Sequence, residues 1–158
     1  MPGVQRFAIA VAGVLLDDSR RVLLIRERGG ARQYGLPGGL VEDYDSPEET
    51  LARVFELQTG VTVEPEHVVG IRYRGSTEHS YLVVAYKCRL VAGAARFTGF
   101  GEIDEVGWFD ARHLPSPMAS AVAPAVEAAV LGGRGMVFAE FEGETQRRRL
   151  STGRRPKS

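Results

Sequence analysis

The stretch from Tyr34 to Val61 constrains this chain more than any other. It opens with YGLPGG, a glycine-rich turn sequence, and passes through an acidic segment, Glu42 to Asp45. A helix start follows. Ser46 is a good N-cap, Pro47 suits the first helical position, and Glu49 stands three residues after Ser46, as in a capping box. Glu48 and Glu49 also favour the positive end of the helix dipole. Leu51, Val54, Phe55 and Gln58 are spaced i, i+3, i+4, i+7, and the first three form an apolar stripe. Gly60 supplies the stop. The pattern predicts a helix over 47–58.

Strand signals surround this unit. Val4 to Leu16 and Arg21 to Glu27, separated by the turn signal Asp17-Asp18-Ser19, read as a hairpin. Residues 29–39 read as a Gly-rich loop. Val61 to Arg74 reads as one or two strands broken at Pro65 and Gly70, and Ser80 to Leu90 is the strongest strand signal in the chain. Residues 92–101, rich in Gly and Ala, read as a loop, and Val106 to Phe109 as a short strand. Met118 to Leu131 reads as a helix that Pro124 divides or starts, stopped by Gly132-Gly133. Gly135 to Phe141 is a candidate last strand. The order of elements predicts an α/β fold, a mixed β-sheet between helices.

With 158 residues, 44% hydrophobic and 25% charged, the chain has the size and balance of one globular domain. Disulfide miniproteins, collagen, disordered chains and coiled coils are excluded. The single cysteine, Cys88, rules out an intramolecular disulfide and a cysteine-only metal cluster, and fits a reducing cytoplasm. No stretch has the roughly 18–20 apolar residues of a membrane span. The N-terminus reads as a first strand rather than a signal peptide. The net charge of zero hides an asymmetry: residues 147–158 carry six basic groups and no acid, whereas residues 1–146 carry 14 basic and 20 acidic groups. The expectation is a single domain over 1–143 and a basic, disordered tail over 144–158. The acidic body argues against a broad nucleic-acid surface; the tail would suit phosphates or an acidic partner.

The segment Gly39 to Val61 resembles the Nudix box of the MutT-like pyrophosphohydrolases. That motif runs Gly, five residues, Glu, seven residues, Arg-Glu, an aliphatic residue, any residue, Glu-Glu, any residue, Gly, an aliphatic residue. Here Gly39, Arg53, Gly60 and Val61 match, Phe55 takes the aliphatic place, and Asp45 replaces the first Glu. The lead-in YGLPGG, the opening VAGVLLDDSRRVLLIRE and the later EIDEVGWFDARHLP resemble the family as well. The resemblance covers roughly residues 5–131. It implies a Nudix-type α/β/α sandwich and a superfamily that hydrolyses nucleoside diphosphates linked to a second moiety.

The departures fall on one helix face. Val54, Leu57 and Gln58 stand where the family has its remaining glutamates, at i, i+3 and i+4. In the family that face presents carboxylates to Mg²⁺, which bridge the substrate pyrophosphate. Mg²⁺ takes oxygen ligands at about 2.0–2.1 Å. Val and Leu offer no lone pair, and Gln offers one neutral carbonyl. Each lost charge beside a cation is worth on the order of several kcal/mol at an effective dielectric near 20, so Mg or Mn binding is expected to be weakened. A rescue site would use other acids: Asp45 and Glu42 as metal ligands, and Asp45, Glu102 and Arg53 as catalytic residues. Arg53 also has Glu49 four residues before it, a favourable helix pair. For ligand binding the candidates are Gly38 and Gly39 in the loop, Tyr34 and Phe100 for stacking a base or ribose, and Arg72 and Arg74 for phosphates. His67, His79 and His113 lack metal-ligand spacing.

Three functions remain open at this level. The first is a Nudix domain that binds a nucleotide-like small molecule with little or no ordinary hydrolysis. The second is a Mg/Mn-dependent hydrolase using relocated acids. The third is a protein-interaction module that recruits a partner through its basic tail or an apolar patch. Homodimers are common among such relatives, and a homodimer fits all three.

Overall fold

The strand-rich pattern folds into two sheets, and the two helices cover opposite faces of the larger one. The computed structural model describes residues 7–42, 45–75, 80–134 and 136–141. The elements are β1 (Ala8–Leu15), β2 (Arg21–Glu27), β3 (Tyr34–Gly35), β4 (Gly38–Leu40), α1 (Pro47–Thr59), β5 (Thr62–Gly75), β6 (Ser80–Ala92), β7 (Ile103–Asp110), α2 (Val122–Val130) and β8 (Met136–Phe141). The larger sheet runs β4-β1-β6-β5-β8 and is mixed: β1 is parallel to β6 and β5 to β8, while the β1–β4 and β5–β6 pairs are antiparallel. The smaller sheet, β3-β2-β7, is antiparallel throughout.

The period-two alternation of β1 assigns its residues to the two helices. Val11 and Leu15 face α1 and pack with Leu51, Phe55, Val61 and Cys88. Val14 faces the other way, into a core with Val69, Ala85, Val122 and Val126. This is the expected α/β/α sandwich. β2 feeds both cores, Leu23 into the first and Val22 and Leu24 into the second, which ties the small sheet to the large one. Gly13 is required by this packing, because a Cβ there would lie 2.9 Å from Phe55 Cε2 and 3.0 Å from Cys88 Sγ. Burial pushes the Cys88 thiol up to about 12, with the Glu66 charge adding to it. Cys88 is thus a small core side chain rather than a reactive thiol.

Four local readings change. β1 and β2 do not form a hairpin. They enter different sheets and share one bridge, Leu16 to Val22, because the pattern that makes each a strand does not choose its partner. β5 is continuous; Pro65 and Gly70 mark register shifts against β6 instead of breaks, since a bulge accommodates a missing donor or a missing side chain without ending the ladder. The loop at 29–39 contains β3 and β4. The second helix starts at Val122, with Pro124 in its first turn, where a missing N–H leaves no bond unmade. Met118 instead bridges to Tyr34. The tail over 144–158 lies outside the described residues. Among those described, no helix is long and apolar enough to cross a membrane.

Candidate functional site

The local sequence builds α1 as its caps predict. The Ser46 hydroxyl accepts from the Glu49 N–H at 3.1 Å, and Gly60, at φ +77°, closes the helix with its N–H donating to the Glu56 carbonyl at 2.8 Å. The loop over 93–102 completes that end. The Thr98 hydroxyl donates to the Leu57 and Gln58 carbonyls at 2.7 and 3.2 Å, and the Arg96 N–H donates to the Thr59 carbonyl at 2.9 Å. These contacts satisfy carbonyls that every helix leaves unpaired at its C-terminus. They also bring Phe100 up to the helix.

The YGLPGG segment lies against β1. The Gly13 N–H donates to the Pro37 carbonyl at 2.9 Å, and Gly38 pairs opposite Ala12. A Cβ on Gly38 would run into the Val11 carbonyl oxygen, so the close approach admits only glycine. Gly39 faces Val54, whose Cγ1 would be 3.5 Å from a Cβ added there. Gln58 makes two hydrogen bonds to the backbone of one residue: its Oε1 accepts from the Gly38 N–H at 2.9 Å, and its Nε2 donates to the Gly38 carbonyl at 3.0 Å.

A cavity of about 440 Å³ opens beside this clamp. Its walls include Tyr34, Gly38, Gln58, Phe100, Glu27 and Glu102, with Leu36 and Ile103 among the apolar side chains. An adjoining groove of about 590 Å³ runs along the outer face of α1, lined by Arg53, Glu56, Leu57, Arg96 and Thr98. Phe100 belongs to both and stands between them. The Tyr34 ring is fixed from three sides. Its hydroxyl donates to Glu105 Oε2 at 2.5 Å, Phe109 meets it edge-on at 5.1 Å, and the Arg26 guanidinium lies 5.5 Å from its centroid. The hydrogen bond to Glu105, with burial behind it, holds the Tyr34 hydroxyl above its ordinary pKa. At the same rim Asp104 accepts from Arg26 at 2.9 Å and from Arg32 at 2.8 Å. Those two hydrogen bonds hold its carboxyl below the usual range.

The structure brings Gly38, Gln58, Tyr34, Phe100 and Glu102 to the cavity, and places Arg53 and Leu57 in the groove next to it. Other candidates lie elsewhere. Asp45 pairs with Arg53, Oδ2 to Nη2 at 2.6 Å, so the partner of Arg53 is Asp45 and not Glu49; the loop before the cap brings the carboxylate nearer than the helix turn does. Glu42 is exposed, and its carbonyl accepts from the Asp45 N–H at 3.3 Å. Among the described residues no three of His, Cys, Asp and Glu come together as a metal site, so Asp45, Glu42 and Glu102 do not converge. Arg72 donates to the Ser120 carbonyl at 3.0 Å and lines a small gap against α2 rather than the cavity itself, with Leu36 in the walls of both. Arg74 lies in β5 opposite Tyr81.

Sequence reasoning missed the part played by Glu27, Gln33 and Arg96, which reach the site only through sheet pairing and a loop crossing. It also missed what Gln58 does; the one signal was a glutamine at a position where the motif has an acid.

The comparisons with known proteins agree on the family. The NUDIX domain model matches residues 6–129. A MutT-like protein of Streptomyces ambofaciens is 29% identical over 116 residues, 73% of this chain and 72% of that protein. The crystal structure of a MutT NUDIX hydrolase from Burkholderia pseudomallei superposes with a TM-score of 0.71 at 23% identity, covering 78% of this chain and 98% of that one. The NUDIX domain of Shewanella oneidensis NrtR, solved in complex with ADP ribose, gives a TM-score of 0.67 at 21% identity over 81% of this chain and 89% of that one.

Proposed function

The chain belongs to the NUDIX family, and from that premise we propose that it binds a nucleoside diphosphate-like ligand with little or no ordinary pyrophosphohydrolase activity. One observation carries this reading: the α1 face at 54, 57 and 58. The family implies Mg²⁺ or Mn²⁺ there, and the donor set does not fit either ion. Val54 and Leu57 have no lone pair, and the Gln58 carbonyl already accepts from Gly38. Hard cations need several oxygens, usually with carboxylates among them. No catalytic step is therefore routed through a metal on this face.

The cavity chemistry supports a divided ligand. Tyr34 and Phe100 offer aromatic surface for a base, next to the carboxylates Glu27 and Glu102. That combination suits a ring with N–H donors and repels phosphate. The basic side chains Arg53 and Arg96 lie in the groove on the far side of Phe100, where an anionic group would sit. ADP-ribose, the ligand in the NrtR domain complex, has both parts and is the natural first probe.

The test is calorimetry with ADP-ribose in the absence of metal, beside a turnover assay with ADP-ribose, NADH, nucleotide sugars and nucleoside triphosphates in Mg²⁺ or Mn²⁺. The expected result is binding without turnover above the metal-only blank. Turnover would favour the second reading, a hydrolase with relocated acids. That reading draws support from Glu27 and Glu102 sharing the cavity, and loss of the turnover in Glu102→Gln would establish it.

A further inference from the structure

β4 is the edge strand of the large sheet, and among the described residues its outer side has no neighbouring strand. In an antiparallel strand the N–H and C=O of one residue point to the same side. Gly38 pairs opposite Ala12 on β1, yet both of its polar atoms are taken by Gln58, so they point outward, off the sheet edge and toward α1. An edge strand otherwise leaves such groups to water or to a foreign chain. A primary amide offers a donor and an acceptor side by side without carrying charge at any ordinary pH.

We propose that Gln58 is a positioning residue: its amide stands in for a missing strand at Gly38 and fixes the backbone of that residue in the wall of the cavity, at the place where the Nudix pattern has a glutamate. The clamp itself rests on this geometry. Only its effect on ligand affinity rests on the reading given above.

An ionised glutamate cannot do the same work, because it has no donor for the Gly38 carbonyl. A protonated glutamate can, since its O–H donates and its C=O accepts. The prediction for Gln58→Glu follows with its sign. Half-burial, the facing Gly38 carbonyl and the Glu27 and Glu102 carboxylates that line the same cavity oppose the charged form, against the one Gly38 N–H that favours it, so its folded-state pKa lies above the unfolded value of about 4.3. The penalty is absent below the unfolded pKa and grows as pH rises through the folded one.

The experiment compares the full-length wild type with Gln58→Leu and Gln58→Glu. Hydrogen exchange of the Gly38 amide, thermal melts from pH 4 to 8, and ADP-ribose affinity by calorimetry are read for each. The Gly38 amide should exchange at least about tenfold faster in Gln58→Leu, with the amides of β1 still protected. Gln58→Glu should melt about 3–8 °C below wild type at pH 7.5 and converge on it toward pH 4, whereas the deficit of Gln58→Leu stays constant with pH. ADP-ribose should bind about tenfold more weakly to both variants at pH 7.5. Unchanged Gly38 exchange in Gln58→Leu, or a Gln58→Glu deficit independent of pH, would overturn the clamp. Wild-type affinity retained in both variants would overturn its positioning role. If the wild type itself fails to bind ADP-ribose, the ligand reading falls, and exchange and melts alone decide the clamp.

Discussion

One helix carries two faces with different surroundings. The inner face of α1, Leu51 and Phe55, is fully buried against β1 and the strands beyond it. The outer face, Val54, Leu57 and Gln58, borders the loop and the groove, and Leu57 is 42% exposed. The inner face is apolar throughout, while the outer face carries Val54, Leu57 and Gln58, on which the proposed loss of metal binding rests. The difference teaches that fold and chemistry are separable here. The inner residues need only be apolar and of the right volume, whereas the outer ones determine which atoms can meet a cation or a phosphate.

The comparison can be broken or sharpened by mutation. The largest effect should come from Phe55→Ala, which empties the space between Gly13, Cys88 and the helix. A loss of about 3–5 kcal/mol is expected, read by denaturant unfolding. If Phe55→Ala changed stability by less than a surface substitution does, the inner face would not be the anchor described here. A middling effect should come from Ser46→Ala. It removes one capping bond, and about 1 kcal/mol, or roughly 2–4 °C in melting temperature, should be lost. The smallest effect on stability should come from the outer face. The pair Val54→Glu and Leu57→Glu, with Gln58 kept, should shift stability by about 1 kcal/mol or less. Its effect on metal should be the reverse, a rise of at least about tenfold in Mn²⁺ affinity, since two carboxylates then stand one turn apart on one helix face. Electron paramagnetic resonance of free Mn²⁺ would follow this titration, and unchanged affinity would show that the outer face does not look into a cation site even when charged.

The rim of the cavity differs from both faces in having its charges matched. Arg26 and Arg32 share Asp104, and Tyr34 bonds to Glu105. These pairs fix the aromatic wall, and they leave Glu27 and Glu102 as the acids that line the space. The groove beyond Phe100 has the opposite character. Arg53 is pinned by Asp45, while the guanidinium of Arg96 makes no hydrogen bond or ion pair with any described residue.

Much of this was legible in the chain order. Ser46, Pro47, Glu49 and Gly60 specify where α1 starts and stops, because capping is a contract between residues three or four apart. The YGLPGG loop and the 23-residue frame from Gly39 to Val61 pointed to the candidate site in the sequence itself. The split between β1 and β2 was not legible, since alternation marks a strand but carries no record of its partner. Arg72 read as a phosphate ligand from its place on a strand, and only the packing of α2 gave it the Ser120 carbonyl instead.

Sequence alone therefore determined the local units: a capped helix with an apolar stripe, a glycine-rich loop, and a box with Val54, Leu57 and Gln58 at positions where the motif has acids. Tertiary structure alone decided what those replacements touch. Gln58 and Gly38 are 20 residues apart, and nothing in their spacing announces a contact. The two meet because β4 pairs with β1 while α1 packs across the same sheet, so that the helix end and the open edge of the strand arrive within hydrogen-bonding reach.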